Sequence, residues 1–195
     1  MFNAKQIKMT KIFMRHIKII KSISLLISLF LITSCSNNAA MKPEDFKNKE
    51  PRLIIEEYLS GNVKAWGVLQ NRSGKVTRQF SADLNGKWDG KQLILDEKFN
   101  WDDGEIQTRQ WQITKIDENN YEGTAGDVVG KAKGYSYGPA FKFEYVLLVP
   151  VKGKEMKITF DDWIFKQDDR VAINKATMTK FGFKVAELTV VFVKD

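Results

Sequence analysis

The sequence is poor in the residues that carry most enzyme chemistry. Its 195 residues hold one cysteine, Cys35, and one histidine, His16. A single cysteine excludes an internal disulfide. The apolar run from Ser22 to Ile32 is about 11 residues, against the roughly 20 that a bilayer-spanning helix needs. Lys18 and Lys21 stop it from extending toward the N-terminus. No acidic residue precedes Cys35. If the segment before Cys35 is removed, His16 goes with it. The remaining chain then has no Ser-His-Asp triad and no His-based zinc site, and a modified Cys35 would leave no cysteine nucleophile and no Cys-based zinc site. Catalysis would fall to carboxylates, Lys, Tyr or hydroxyls, and no motif calls for a cofactor or a metal.

What the N-terminus does contain is an address. Lys5, Lys8, Lys11, Arg15, Lys18 and Lys21 precede the apolar run, which ends in Leu31-Ile32-Thr33-Ser34-Cys35. A basic start, a short apolar core and small residues before a cut site read as a secretory signal. The cysteine directly after that cut resembles the bacterial lipoprotein signal, in which the thiol is lipidated; Ile32 is a mild departure from the usual leucine. The alternative is an ordinary cleaved signal with an incidental cysteine. Translation from Met9 or Met14 instead of Met1 would leave this reading intact. Ser36 is not the aspartate of inner-membrane retention, so the expected location is the cell envelope, at the outer membrane facing the periplasm. The expected layout is a signal peptide over 1–34, a lipidated polar tether over 35–50 and one domain over 51–195.

Processing also changes the charge. The chain has 31 Lys+Arg and 24 Asp+Glu, and removing the six basic residues before Cys35 leaves 25 against 24. The basic character belongs to the signal, and a basic face for nucleic acid is not expected.

Pro51 to Gly61 reads as a short helix with a glycine stop, or a first strand. From Asn62 onward the pattern has period two. Phe143, Tyr145, Leu147 and Val149 share one parity, as do Phe80, Ala82 and Leu84, then Leu93, Leu95 and Phe99, then Met156, Ile158 and Phe160. Turn signals fall at Ser73-Gly74, Asn85-Gly86, Asp89-Gly90, Asp103-Gly104, Glu118-Asn119-Asn120, Lys152-Gly153 and Asp168-Asp169. Such runs predict about nine or ten half-buried antiparallel strands. Closing into a barrel hides their edges. The expected fold is all-β, an antiparallel up-and-down barrel of lipocalin type, with a two-sheet sandwich as the alternative.

An ordered series of short motifs adds to this. It runs Ala65-Trp66-Gly67, Arg72-Ser73-Gly74-Lys75-Val76, Gly86-Lys87-Trp88-Asp89-Gly90, Leu95-Asp96-Glu97-Lys98-Phe99, Asp102-Asp103-Gly104-Glu105, Tyr121-Glu122-Gly123-Thr124-Ala125, Asp127-Val128-Val129-Gly130, Asp161-Asp162-Trp163 and Lys180-Phe181-Gly182. The series resembles the bacterial lipoprotein family catalogued as domain of unknown function 3833. The resemblance implies a lipoprotein and a single β domain. It implies no activity and no catalytic residue.

Parity places charged residues on apolar faces. Arg78 shares the face of Phe80, Glu97 that of Leu95, Arg109 that of Trp111, and Asp162 that of Phe160. Val171 and Ile173 would bring Lys175 inward, and the odd parity of Trp163 and Phe165 calls for a bulge near Asp161-Asp162. Lone charges inside would cost several kcal/mol each unless paired, hydrated or liganded. Three readings stay open. One is a closed set of salt bridges. Another is a partly wet cavity whose arginines hold the anionic head of a small amphipathic or lipidic ligand. The third is a different register that leaves the charges in solvent. Asp102-Asp103-Gly104-Glu105 reads as a hairpin rather than a calcium loop. Asp161 and Asp162 would point to opposite faces, a poor acid/base pair for a hydrolase. The five tryptophans are expected mostly in the barrel core and its closure. The functions in view are thus a ligand-binding lipoprotein, an assembly lipoprotein acting through its surface, or a carboxylate hydrolase.

Overall fold

The computed structural model describes residues 40–151 and 153–195. Cys35, the segment 1–34 and Lys152 lie outside them. Ten antiparallel strands close into one up-and-down barrel, with each strand bonded to its neighbours in sequence and the last to the first. They are β1 (Gly61–Asn71), β2 (Val76–Trp88), β3 (Gln92–Trp101), β4 (Ile106–Lys115), β5 (Asn120–Thr124), β6 (Ala132–Tyr137), β7 (Ala140–Val151), β8 (Lys154–Lys166), β9 (Val171–Lys180) and β10 (Phe183–Lys194). The closing ladder runs from Val63↔Lys194 to Asn71↔Ala186. Closure leaves no open sheet among the described residues, and the sandwich alternative falls. Among the described residues, no helix is long and apolar enough to cross a membrane.

One end is plugged. The one-turn helix α1 (Ile55–Tyr58) and its flanks bury Leu53, Ile55, Tyr58 and Leu59 beneath the strands. A single turn is far too short to hold itself by helix propensity. Tertiary bonds hold it instead. Lys194 Nζ reaches the carbonyls of Glu57, Tyr58 and Ser60 at 2.5, 3.0 and 3.0 Å. Tyr58 Oη donates to the Arg170 carbonyl at 2.9 Å, and Ser136 Oγ donates to that of Leu53 at 3.0 Å. Asn85-Gly86 is not a turn: β2 runs straight through it. The glycine is there for close approach, since a Cβ at position 86 would stand 2.0 Å from the Leu59 carbonyl oxygen.

The polar tether does not stay free over its described length. A 3-10 turn at Pro43–Phe46 places Phe46 on the outer wall, with its ring 6.0 Å from Trp163 and 5.4 Å from Phe165. This explains the parity change in β8 without a bulge. The β7 and β9 ladders pass Asp161 and Asp162 in continuous register. Ile158, Phe160, Asp162 and Ile164 point inward, while Trp163 and Phe165 point outward under Phe46. The register shifts lie elsewhere, at Leu69/Gln70 and Lys184/Ala186.

The wall has a thin seam. β4 pairs with β5 only over Gln112–Lys115. The second half of β7 has a single bridge on that side, Val128↔Leu147. The segment 125–131 fills the gap through Val129 N–H to Val146 O at 2.8 Å and Leu148 N–H to Asp127 O at 2.9 Å.

Candidate functional site

The interior is lined by alternate residues of the strands, chiefly large apolar and aromatic ones. Trp111 lies 5.0 Å from Phe143 and 5.2 Å from Tyr145, and Tyr145 stacks on Phe160 at 5.0 Å. Gly123 leaves room for this cluster: a Cβ there would stand 2.4 Å from Phe143 Cζ. Between plug and rim lies a cavity of about 110 Å³, walled by Leu84, Phe99, Trp111, Phe143, Leu188 and Phe192 among others. Its polar lining is Glu97, Arg109, Tyr145, Asp162 and Asn174.

Three of the five charged residues expected inward, Glu97, Arg109 and Asp162, meet at this cavity. Glu97 and Arg109 are cross-strand partners on β3 and β4. Arg109 binds Asp127 with a two-pronged grip, Nη2 to Oδ2 at 2.7 Å and Nε to Oδ2 and Oδ1 at 3.0 and 3.1 Å. That pair ties β4 to the segment sealing the seam. The guanidinium contact left to Glu97 is Oε2 to Arg109 Nη1 at 3.7 Å. This is too long for a hydrogen bond. Oε2 is buried and has no hydrogen-bond partner. Asp162 is held by neutral donors, Tyr145 Oη at 2.9 Å and the Asn174 side-chain amide.

The other two candidates sit elsewhere. Arg78 stands toward the rim, with Nη2 2.7 Å from Asp103 and 2.8 Å from Glu105, and its guanidinium 4.0 Å over Trp101. The Asp102–Glu105 stretch is thus a hairpin stitched back to β2. Lys175 is exposed on the outer face of β9. The inward set on that strand is Ala172, Asn174 and Ala176. Periodicity misled here because the outer face is apolar too: Ile173 sits beside Phe165 and Val191 in its ladders. Asn174 was therefore missed, as was Tyr145, read only as part of an apolar face. Asp127 fell in a segment with no strand pattern to orient it. Asp161 points away from Asp162 to Lys142, at 3.6 Å. Of the tryptophans, Trp111 is inside, Trp163 is buried on the outer wall and Trp66 is half-exposed there.

Burial sets the electrostatics. It pushes Glu97 up to about 7, with Arg109 and a hydrogen bond from Trp111 offsetting part of the rise while Asp162 and Asp127 add to it. It pushes Asp162 up to about 6 against the lowering bonds from Asn174 and Tyr145. Burial and the neighbouring Asp162 hold the Tyr145 phenol well above its ordinary value. Among the described residues, no group of three or more His, Cys, Asp or Glu side chains is placed to hold a metal ion.

Comparison with known proteins supports the fold. Residues 29–194 match the family described as "Protein of unknown function (DUF3833)". No curated protein matches. The S-type phycobiliprotein lyase CPES from Guillardia theta is similar in structure, with a TM-score of 0.55 at 10% identity over 72% of this chain and 90% of that one. A protein of unknown function from the DUF3598 family of Nostoc punctiforme has a TM-score of 0.57 at 16% identity, over 75% of this chain and 51% of that one. At these identities the likeness concerns the fold alone.

Proposed function

This chain belongs to the DUF3833 family, and we propose that it is a lipid-anchored envelope protein whose barrel binds a small amphipathic ligand. The observation that carries the ligand reading is the cavity of about 110 Å³, with aromatic walls and a few converging polar groups. Apolar pockets with a small number of placed polar groups are the usual form of small-molecule sites. The size restricts the ligand, since an engineered apolar cavity of about 150 Å³ takes up benzene. A whole acyl chain does not fit without expansion. The anionic head group expected from the sequence also loses its partners, because Arg78 is bound to Asp103 and Glu105, and Arg109 to Asp127. Native mass spectrometry of the protein released from membranes tests the reading. A bound small molecule supports it, and bare polypeptide with no probe uptake removes it.

The anchor reading rests on Cys35 and the segment before it. Each buried methylene contributes about 0.8 kcal/mol, so two or three acyl chains would hold the protein in the membrane. Ser36 supports an outer-membrane location. Labelling with a palmitate analogue checks the anchor: the label is expected in the native chain and absent from Cys35→Ala, and a labelled mutant refutes it. A second reading, assembly through the outer surface, is favoured by the rim side chains Phe181 and Phe183, which are 88% and 74% exposed.

A further inference from the structure

The balance of charge inside the barrel points to the sign of its ligand. Three carboxyl groups, Glu97, Asp127 and Asp162, surround one guanidinium, that of Arg109. Among the described residues lining the cavity, Arg109 is the only cation. Asp127 takes its strongest bonds. Glu97 keeps a 3.7 Å contact and an orphaned oxygen. Asp162 has hydrogen bonds, yet both come from neutral groups, the Tyr145 hydroxyl and the Asn174 amide. Its charge is solvated but not neutralised. β1, β2 and β10 present only apolar side chains to the cavity, such as Ala65, Leu84 and Val190. The cavity wall around the two carboxyls includes Phe99, Trp111, Phe143 and Tyr145, and aromatic rings attract cations, as the Arg109 guanidinium 5.9 and 6.0 Å from the Phe99 and Trp111 ring centres illustrates. An anion entering here would meet two carboxylates and no uncommitted guanidinium.

We propose that the cavity binds a small organic cation, a protonated amine, with its ammonium group between Glu97 and Asp162 and its alkyl part against the aromatic wall. This rests on the reading of the barrel as a small-ligand binder and names the class of ligand. The ammonium supplies the hydrogen-bond donor that Glu97 Oε2 lacks and the charge that Asp162 lacks. Binding competes with protonation of the two carboxyls, so affinity rises as they ionise. The groups that set this balance are Glu97 on β3, Arg109 on β4, Asp127 in the seam, Tyr145 on β7, and Asp162 with its neighbour Asp161 on β8.

The test uses the full chain in lipid nanodiscs and three probes of matched size: butylammonium, butyrate and butanol. Ligand-observed NMR titration, with empty nanodiscs as the blank, gives each affinity. Butylammonium is expected to bind at least about tenfold more tightly than butyrate near pH 8, and to weaken about tenfold near pH 5, where both carboxyls take up protons. Glu97→Gln should weaken butylammonium about tenfold without lowering the melting temperature, and Asp162→Asn gives an independent second loss. Butyrate binding as tightly as butylammonium, or an amine affinity unchanged in both variants, overturns the inference. If butanol binds and the amine gains nothing over it, the cavity stands and the cation falls. If none of the three binds, both readings fall.

Discussion

Two glutamates, one buried at the plugged end and one half-buried beside the cavity, show how differently the same side chain is treated in this barrel. Glu56 in α1 is 4% exposed. Lys115 Nζ bonds it at 2.5 Å and Tyr121 Oη at 2.9 Å. Burial alone would raise its carboxyl, yet the bonds from Lys115 and Tyr121 hold it below the ordinary value. Glu97 is less enclosed, with its side chain 12% exposed, and has no hydrogen bond to its buried Oε2. Burial wins there, and its carboxyl rises to about 7. A buried charge with its full set of partners belongs to the architecture. One left short of partners beside a cavity is available to a ligand or a proton.

The largest expected effect strikes the plug. Gly86→Ala drives a methyl into the Leu59 carbonyl, which sits in backbone rather than in a yielding side chain. Unfolding in urea should show a loss of about 3 kcal/mol or more. Glu56→Ala breaks the Lys115 and Tyr121 bonds and should cost about 2–3 kcal/mol by the same measurement. A neutral outcome there would erase the contrast between the two glutamates.

The pH dependence sharpens the contrast, because the signs are opposite. Glu97 holds its proton more tightly folded than unfolded, between its ordinary 4.5 and about 7. Stability should therefore fall as pH rises through that window, by about 3 kcal/mol. Asp162 adds a fall of the same sign between 3.8 and about 6. The contribution of Glu56 runs the other way, present above 4.5 and lost as pH falls through its lowered folded value. Glu97→Gln should flatten the decline between about pH 5 and about pH 8 while keeping the acid-side loss, as read from melts across pH. The smallest expected effect is that of Phe46→Ala. It undocks the Pro43–Phe46 turn from Trp163 and Phe165 at a cost of about 1–2 kcal/mol, and should expose residues 41–49 to protease while leaving the glutamates untouched.

Much of this arrangement was legible in the sequence. Alternation on β3, β4 and the first half of β8 placed Glu97, Arg109 and Asp162 inward, and the barrel followed from many strands with short turns. Two of the failures share one cause, which is that an outer face can be apolar for its own reasons. Trp163 and Phe165 suggested a bulge because nothing in their strand signals the cover supplied by Phe46. Val171 and Ile173 drew Lys175 inward although Ala172 and Asn174 are the buried residues. Asn85-Gly86 has turn composition, but its glycine answers to the carbonyl of Leu59, which is distant in sequence.

The sequence by itself determined the class of fold, the near-neutral charge of the part after Cys35 and the presence of ionisable groups on interior faces. Those properties depend on local period and composition, which a chain carries wherever it goes. Only the tertiary structure decided which charges are satisfied. Partnership depends on contacts between residues far apart in the chain: Lys115 with Glu56, Asp127 with Arg109, Asn174 with Asp162. Glu97 differs from Glu56 only in what the closing of the barrel brought beside it.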